Sequence, residues 1–240
     1  MGELSVIDVM ERLRGGLIVS CQAYPGEPMR DPRTMTRIAR SVVDGGAAGV
    51  RLQGLDDIRS GALALDVPIV GIWKDGDADV VITPTLRHAL AVAKAGAHIV
   101  GLDGTRRPRP DGRTLASTVA ELRDHTDTLI MADCGSLDDA LAAEDAGVDF
   151  LGTTLAGYTG ERARTEGPDL DLLDEIRGAC RLPVIVEGRV HTPAQAAAAL
   201  ARGAFAVCVG TAITHPSTIT SWFRAAMDEV ATGAEARDRP

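Results

Sequence analysis

The feature that most constrains the fold is a motif that recurs about every fifty residues. In each copy, a helical stretch ends in a Gly and a short apolar run follows. The marker residues are Gly46, Gly96, Gly147 and Gly203, at spacings of 50, 51 and 56 residues. Because Gly after a helix is typical of a helix-to-strand turn, the repeat predicts alternating helices and strands.

Four further apolar runs lie between these repeats, at residues 17–20, 69–72, 129–132 and 184–186, so the chain carries eight predicted strands. Their continuous apolar character predicts a parallel sheet covered on both faces. Eight such units in 240 residues predict an α/β fold, a single (β/α)8 TIM barrel over residues 1–240 with a frayed polar tail at 231–240. The alternative is a doubly wound open sheet, which usually opens with a G-x-G-x-x-G that this chain lacks.

Three of the predicted helices have recognisable start signals. Ser or Thr at the position before a helix, with Pro at its first position, is a common way for a helix to begin. The predicted starts are Thr83-Pro84 before residues 86–95, Ser136 before residues 137–146, and Thr192-Pro193 before residues 194–202.

Composition and charge exclude several classes of function. The net charge of −9 and the scarcity of aromatic residues argue against binding to nucleic acid or to an anionic membrane. No apolar run approaches the roughly 20 residues of a membrane span, and residues 1–14 show no signal-peptide core. The four cysteines are scattered and no H-x-x-x-H pair occurs, which predicts a cytoplasmic protein without a disulfide framework or a metal site.

A barrel places its chemistry just after each strand, and polar or small residues stand at all eight of these positions. Any one of them is explained equally well as a solvated turn residue. Taken together, four of these positions predict a cavity with charges of both signs at one mouth of the barrel: Lys74, Glu187, Arg51 and Asp133. The eight positions hold Gln22, Arg51, Lys74, Asp103, Asp133, Thr153 with Thr154, Glu187, and Gly210 with Thr211.

The last two predicted strands are followed by small residues that suit an anion. Gly188 and Arg189 follow the seventh strand, and Gly210 and Thr211 follow the eighth. Barrels often bind phosphate at this place through backbone N–H groups, although the glycines could also simply serve tight turns. His215 lies a few residues further on, within reach of the same mouth.

A locally basic loop carries Arg106, Arg107 and Arg109 after the fourth predicted strand. Guanidinium groups bind carboxylates and phosphates well, so the loop is a candidate clamp for an anion or for a partner's carboxylates. The alternative is a solvated loop over the barrel mouth.

A lysine and a carboxylate that face one cavity suit the removal of a proton next to a carbonyl group. Lys74 must be neutral to act as the base. Burial and a neighbouring Arg51 lower the pKa of a lysine, whereas Glu187 raises it. The same Lys74 could instead form a Schiff base with a carbonyl substrate, so both chemistries stay open at this point.

Eight segments of the chain, in order from about residue 15 to Phe223, resemble the N-acylglucosamine-6-phosphate 2-epimerase family, also called N-acetylmannosamine-6-phosphate epimerases. The segments are Ile18-Val-Ser-Cys-Gln-Ala23, Pro25-Gly-Glu-Pro28, Gly71-Ile-Trp-Lys74, Leu102-Asp-Gly-Thr-Arg-Arg-Pro-Arg-Pro-Asp-Gly112, Met131-Ala-Asp-Cys134, Gly152-Thr-Thr-Leu-Ala-Gly-Tyr-Thr159, Val186-Glu-Gly-Arg189 and Gly210-Thr-Ala-Ile-Thr214.

The resemblance implies a TIM barrel of the ribulose-phosphate-binding type that interconverts N-acetylmannosamine 6-phosphate and N-acetylglucosamine 6-phosphate in sialic acid catabolism. It implies inversion at C2 by removal and return of a proton, without a cofactor or metal, in a homodimeric enzyme. The implied catalytic residues are Lys74 and Glu187. The implied substrate-binding residues are Gln22, Arg51, Asp133, Thr153 and Tyr158, and the implied phosphate-binding residues are Gly188, Arg189, Gly210, Thr211 and His215.

Two positions depart from the family pattern. His215 stands where many members have Arg, and Arg51-Leu-Gln-Gly54 differs from the usual segment after the second strand. Two other functions remain as alternatives to the epimerase. One is a Schiff-base sugar-phosphate lyase of the same fold, and the other is a catalytically silent barrel that binds a sugar phosphate. A structural role in assembly is a further alternative for the basic loop.

Overall fold

The structure is a computed structural model that describes residues 4–237, with side chains described over residues 4–230. Strands and helices alternate along the chain. The strands are β1 (Leu17–Cys21), β2 (Gly49–Gln53), β3 (Ile69–Ile72), β4 (Ile99–Asp103), β5 (Leu129–Asp133), β6 (Phe150–Gly152), β7 (Val184–Glu187) and β8 (Ala206–Val209). The helices are α1 (Val6–Leu13), α2 (Pro32–Asp44), α3 (Leu55–Ala64), α4 (Leu86–Lys94), α5 (Leu115–His125), α6 (Leu137–Asp145), α7 (Leu170–Ala179), α8 (Pro193–Ala201), α9 (Thr211–Thr214) and α10 (Pro216–Arg237).

The eight strands form a closed parallel barrel in sequence order, β1 to β8. Closure is made by β1 and β8, where Ile18 pairs with Cys208 and Val19 with Val209. The predicted (β/α)8 TIM barrel is therefore confirmed, and the open sheet is wrong. Because every strand is parallel, all eight carboxyl ends meet at one mouth, which is where the candidate residues stand.

Apolar residues fill two layers of the barrel. One layer lies between the strands and the surrounding helices and consists mostly of Val, Leu, Ile and Ala, as the scarcity of aromatics in the sequence requires. The other lies inside the barrel and includes Ile99, Phe150 and Ile185. Helix α1 adds Val9 and Leu13 to this inner cluster, so the amino-terminal end of the barrel is packed and the opposite mouth is left for chemistry.

The local signals in the sequence are largely confirmed. All four marker glycines have positive φ, between 85° and 103°, as a helix-to-strand turn requires. Ser136 and Thr192 cap α6 and α8 through their side chains. The start predicted at Thr83 is wrong, because the cap of α4 is Thr85. Thr83 instead has φ of 45° and accepts a hydrogen bond from the backbone N–H of Trp73.

The carboxyl-terminal end forms α10, which continues as far as Arg237. The frayed tail predicted for residues 231–240 falls partly on this helix, and residues 238–240 lie outside the described residues, so that expectation stays a prediction. None of the described helices combines the length and the apolarity needed to cross a bilayer.

Candidate active site

A cavity of about 300 Å³ opens at the carboxyl-terminal mouth of the barrel. That volume is at the lower end of the range for small-molecule sites. Its walls come from the ends of β1, β3, β6, β7 and β8 and from the loops that follow them. The chemistry-bearing lining residues include Gln22, Lys74, Glu187 and His215. The structure brings these four predicted strand-end residues together in one cavity, and their roles stay a prediction.

Arg51 forms the floor beneath this cavity with two carboxylates. Its Nη1 lies 3.0 Å from Asp133 Oδ1 and 2.8 Å from Glu187 Oε2, and its Nη2 lies 2.6 Å from Asp133 Oδ2. The side chains of Arg51 and Asp133 are 2% and 0% exposed. A bidentate pair this deeply buried fixes both partners, so Arg51 is a rigid support on which Glu187 is oriented.

The protonation of Glu187 is set by two opposed effects. Burial raises the pKa of Glu187, because the anion loses its hydration, and the Arg51 guanidinium lowers it. Thr154 Oγ1 donates to Asp133 Oδ1 at 2.6 Å and lies 3.4 Å from Glu187 Oε2. The net effect is a raised pKa, so at a given pH a larger fraction of Glu187 is protonated than of a solvated glutamate.

Lys74 reaches the cavity from a short hairpin that follows β3. Its Nζ donates to Gln22 Oε1 at 2.8 Å, and Gln22 Nε2 donates to Ser20 Oγ at 2.6 Å. Nζ also lies 5.6 Å from the centre of the Tyr24 ring. These contacts hold the lysine across the mouth, with its nitrogen facing the ligand space.

The pKa of Lys74 is lowered from its ordinary value. Burial is the largest cause and the charge of Arg51 the next, while Glu187 and Asp133 oppose both. A lowered pKa increases the share of neutral amine near neutral pH, which is the form that can accept a proton. The sequence leaves open whether the pKa of Lys74 is raised or lowered. In the structure, burial and the charge of Arg51 outweigh Glu187 and Asp133, so the pKa is lowered.

The end of the cavity predicted to bind phosphate is built by β7, β8 and α9. Gly210 stands at the start of α9, and Thr211 is its first residue. Thr214 Oγ1 donates to the backbone oxygen of Ser20 at 2.7 Å and so ties α9 to β1. His215 is buried, with its ring 5.0 Å from that of Tyr24 and Nδ1 3.6 Å from Glu27 Oε1.

Arg189 lines the cavity, and its guanidinium is bound by the loop between β6 and α7. Nη1 donates to the backbone oxygen of Ala156 at 2.8 Å, Nε to that of Gly167 at 3.2 Å, and Nη2 to Thr165 Oγ1 at 3.0 Å. The same guanidinium lies 5.2 Å from the centre of the Tyr158 ring. Arg189 therefore holds the loop between β6 and α7 in place.

Thr153 is the one predicted substrate residue whose hydroxyl is committed to the backbone. Its Oγ1 donates to the Glu187 backbone oxygen at 2.9 Å and accepts from the Glu187 N–H at 3.1 Å. These bonds join the ends of β6 and β7. The side chain that lines the cavity from this loop is the neighbouring Thr154.

The three arginines of the basic loop are all engaged with groups of this chain. Arg106 contacts Asp139 and Glu161, and Arg107 donates to Asp103 Oδ2 at 2.8 Å. Arg109 is buried and donates to the backbone oxygen of Asp103. The loop is thus fastened to the barrel by its own ion pairs. Over the residues that the structure describes, no cluster of three or more His, Cys, Asp or Glu side chains is placed to hold a metal ion.

Comparison with known proteins places this geometry in a family. Residues 35–229 match the family model described as "Putative N-acetylmannosamine-6-phosphate epimerase". The chain belongs to this family. A relative from Cutibacterium acnes, named "Putative N-acetylmannosamine-6-phosphate 2-epimerase", is 55% identical over 221 residues, which are 91% of this chain and 96% of that protein. A relative of the same name from Corynebacterium glutamicum strain R is 48% identical and covers 88% of this chain and 93% of its own.

A solved structure agrees with the family assignment. The N-acetylmannosamine-6-phosphate 2-epimerase from Clostridium perfringens superposes with a TM-score of 0.87 at 37% identity. The match covers 90% of this chain and 95% of that one. The similarity to the epimerase family therefore covers about nine-tenths of this chain.

The predicted site residues fall into three groups according to their position in the structure. The first lines the cavity, the second lies beneath it, and the third faces the backbone of a neighbouring strand. The lining group is Gln22, Lys74, Tyr158, Glu187, Gly188, Arg189, Gly210, Thr211 and His215; the group beneath is Arg51 and Asp133; the third is Thr153.

The sequence analysis did not name several lining residues as site residues, and those with polar or ionisable side chains are Ser20, Tyr24, His191 and Cys208. Ser20 and Cys208 lie within strands, so a search restricted to strand ends passes over them. Tyr24 had one usable signal, because it is one of only two tyrosines and follows β1 closely. Cys21, which the sequence analysis gave little weight, is buried in the outer core, and burial raises the pKa of its thiol to about 12.

Proposed function

We propose that this protein is an N-acetylmannosamine-6-phosphate 2-epimerase, a carbohydrate epimerase that inverts C2 of the sugar phosphate and acts in sialic acid catabolism. The observation that carries the proposal is the pair formed by Lys74 and Glu187. Both residues line one cavity in a barrel of the epimerase family. Burial lowers the pKa of Lys74 and raises that of Glu187, and each shift favours the neutral form of the side chain. Such a pair can accept and donate protons near neutral pH.

In the proposed mechanism, Glu187 moves a proton between the anomeric hydroxyl and the ring oxygen, which opens the sugar to its aldehyde. The neutral amine of Lys74 then takes the proton from C2. The electron pair of the broken C–H bond moves to the aldehyde oxygen as an enolate, and its charge is stabilised by hydrogen bonding. The enolate then turns about its C2–C3 bond, and the Lys74 ammonium returns a proton to the other face of C2 while the electron pair moves back from the oxygen. This step regenerates the neutral amine and gives the epimer, with no net change in oxidation state.

The roles of the remaining residues follow from their contacts. Arg51, which is itself fixed by Asp133, holds Glu187 in place, and Gln22 orients the Lys74 nitrogen. The phosphate would rest on backbone N–H groups near Gly210 and Thr211, with His215 beside it. Backbone groups carry no net charge, so an anionic substrate is compatible with a protein whose net charge is −9.

The first test compares N-acetylmannosamine 6-phosphate with its unphosphorylated form in a coupled assay. We expect turnover of the phosphorylated sugar only. In deuterated water, deuterium should enter C2 of the recovered sugar phosphate, because the proton is lost to an exchanging amine and then replaced. Turnover without deuterium at C2 would exclude proton removal there.

The second test is Lys74→Ala. A positioned acid–base group contributes roughly 10²–10⁴-fold to the rate, so kcat should fall by at least that range while the thermal unfolding midpoint stays near that of the native protein. Lys94→Ala is the matched control, because Lys94 is exposed on α4 and far from the mouth. Full activity in Lys74→Ala would show that Lys74 is not the catalytic base.

Borohydride treatment during turnover separates the proposal from the Schiff-base alternative. A proton-transfer mechanism leaves no reducible adduct on Lys74, whereas a Schiff-base lyase is trapped as a secondary amine at that residue. Binding of the sugar phosphate without any turnover would instead favour the catalytically silent barrel.

The cytoplasmic location is part of the same proposal. It is supported by the four cysteines, all free and three of them buried, since disulfides are uncommon in reducing compartments. The homodimer also stays a proposal.

A further inference from the structure

Lys74 is carried by a hairpin whose tip lies in solvent. Lys74 forms an antiparallel bridge with Ile82, and the Asp75 N–H donates to the Val81 backbone oxygen at 3.1 Å. Residues 75–79 of the hairpin are exposed. The position of the Lys74 nitrogen in the cavity therefore depends on what fastens the base of the hairpin to the barrel.

One side chain, His88, contacts both neighbours of Lys74 in the sequence. His88 Nε2 lies 2.9 Å from Asp75 Oδ2 on one side. On the other side, its ring meets the ring of Trp73 edge-on, with 4.4 Å between the centroids. Its Nδ1 lies 2.6 Å from Thr85 Oγ1, which fixes the orientation of the imidazole. His88 is 4% exposed although it pairs with an exposed carboxylate.

The helix that carries His88 is a rigid reference. Ala89 and Val92 of α4 are fully buried in the outer core, and the Leu86 N–H donates to Asp111 Oδ2 at 3.1 Å. Val92 packs so closely on β3 that a Cβ added at Gly71 would lie 2.8 Å from its Cγ1. His88 therefore connects the hairpin to a helix that is packed against the barrel.

We propose that His88 is a positioning residue. It contacts the hairpin on both sides of Lys74 and so keeps the Lys74 nitrogen inside the cavity. The inference rests on the proposed function, to which it adds a residue that never touches the substrate. Asp75 and Trp73 are the two points of contact, and Arg87 supports them, with Nη2 3.8 Å from Asp75 Oδ2 and its guanidinium 5.2 Å from the Trp73 ring centre.

A loosened hairpin has a distinct chemical consequence. Burial is the largest cause that lowers the pKa of Lys74, ahead of Arg51, Glu187 and Asp133. Movement of Nζ toward solvent restores its hydration and raises that pKa toward the ordinary value of a lysine. Loss of the His88 contacts therefore changes the pH at which Lys74 becomes neutral, which a general loss of stability does not do.

The chain allows a direct measurement, because Lys74 and Lys94 are its only lysines. We would follow acetylation by acetic anhydride as a function of pH in the native protein and in His88→Leu, with mass spectrometry to separate the two sites. Exposed Lys94 serves as the internal reference. In the native protein Lys74 should reach half of its maximal rate at lower pH than Lys94, and in His88→Leu this pH should rise toward that of Lys94.

Kinetics give the second readout. A misplacement of about 1 Å can cost about 10²-fold in rate, so kcat of His88→Leu should fall by roughly 10- to 10²-fold, with KM within about threefold of the native value. His88→Gln, which keeps a donor near Asp75, should recover part of the loss. Leu172→Ala is the control, because Leu172 is buried on α7, so its truncation lowers the melting temperature without touching α4 or the hairpin.

Asp75→Ala is a second variant, included in case His88→Leu does not fold. Asp75 is exposed, so its replacement leaves the core unchanged. Asp75→Ala should shift Lys74 labelling in the same direction as His88→Leu. Unchanged labelling and unchanged kcat in the folded His88 and Asp75 variants would overturn the proposal. A labelling shift in a protein without epimerase activity would instead leave the positioning role standing and reject the proposed function.

Discussion

At the scale of single residues, the site depends on one guanidinium placed between the buried carboxylate of Asp133 and the partly buried carboxylate of Glu187. Arg51 neutralises Asp133 through a bidentate pair and shares its Nη1 with Glu187. Truncation of such a residue leaves uncompensated charge in a dry environment, which is far more unfavourable than the loss of an exposed pair. The stability of the barrel and the chemistry of its mouth are therefore linked at Arg51.

Arg51→Met should lower the free energy of unfolding by about 3–5 kcal/mol, the usual cost of breaking a buried ion pair. Chemical denaturation at neutral pH measures this change. Arg59→Met is the matched control, because the Arg59–Asp56 pair is 56% and 79% exposed, and exposed pairs contribute about 0–1 kcal/mol. Equal losses in the two variants would contradict the structural role given to Arg51.

The same residues show what a sequence can and cannot predict about a site. Parallel strands bring their carboxyl ends together, so Lys74, Glu187 and Arg51 were placed at one mouth by position alone. The direction of each side chain depends on contacts made by distant residues. Thr153 turns to the Glu187 backbone and Thr154 faces the cavity, and no spacing rule distinguishes these neighbours.

At the scale of elements, the loop between β6 and α7 is held by a residue from the loop after β7. Arg189 has φ of 55° and donates to two backbone oxygens and one hydroxyl of that loop. The resemblance to the epimerase family implies that Arg189 is a phosphate ligand. The hydrogen bonds of its guanidinium to Ala156, Thr165 and Gly167 could not be predicted, because they join segments more than twenty residues apart.

Arg189→Ala should loosen the loop that carries Tyr158. Hydrogen–deuterium exchange measures the effect, and we expect faster amide exchange in residues 156–167 with little change in the strands. Arg177→Ala is the control, since Arg177 donates to the Arg202 backbone oxygen on the exposed side of the barrel. Unchanged exchange at 156–167, combined with weaker binding of the phosphorylated sugar only, would favour a direct role in phosphate binding instead.

At the scale of the whole molecule, the fold follows from the repeat and the assembly does not. The turn glycines and apolar runs predicted eight units, and parallel pairing closes them into a barrel. Helix α10 carries an apolar stripe that is largely exposed among the described residues. Phe223, Met227 and Val230 recur at the spacing of one helix face and are 70%, 62% and 74% exposed.

An exposed apolar stripe on a helix is typical of a protein interface, and a second copy of this chain is the occupant that the homodimer expectation predicts. Light scattering should therefore give a mass of about twice the 25.1 kDa of one chain. Phe223→Glu with Val230→Glu should shift the protein toward the monomer, because a dimer would bury charge from both copies. Leu63→Glu changes an equally exposed but isolated apolar residue on α3 and should leave the mass unchanged. A native protein that stays at 25.1 kDa over a hundredfold range of concentration would show that the stripe serves no dimer.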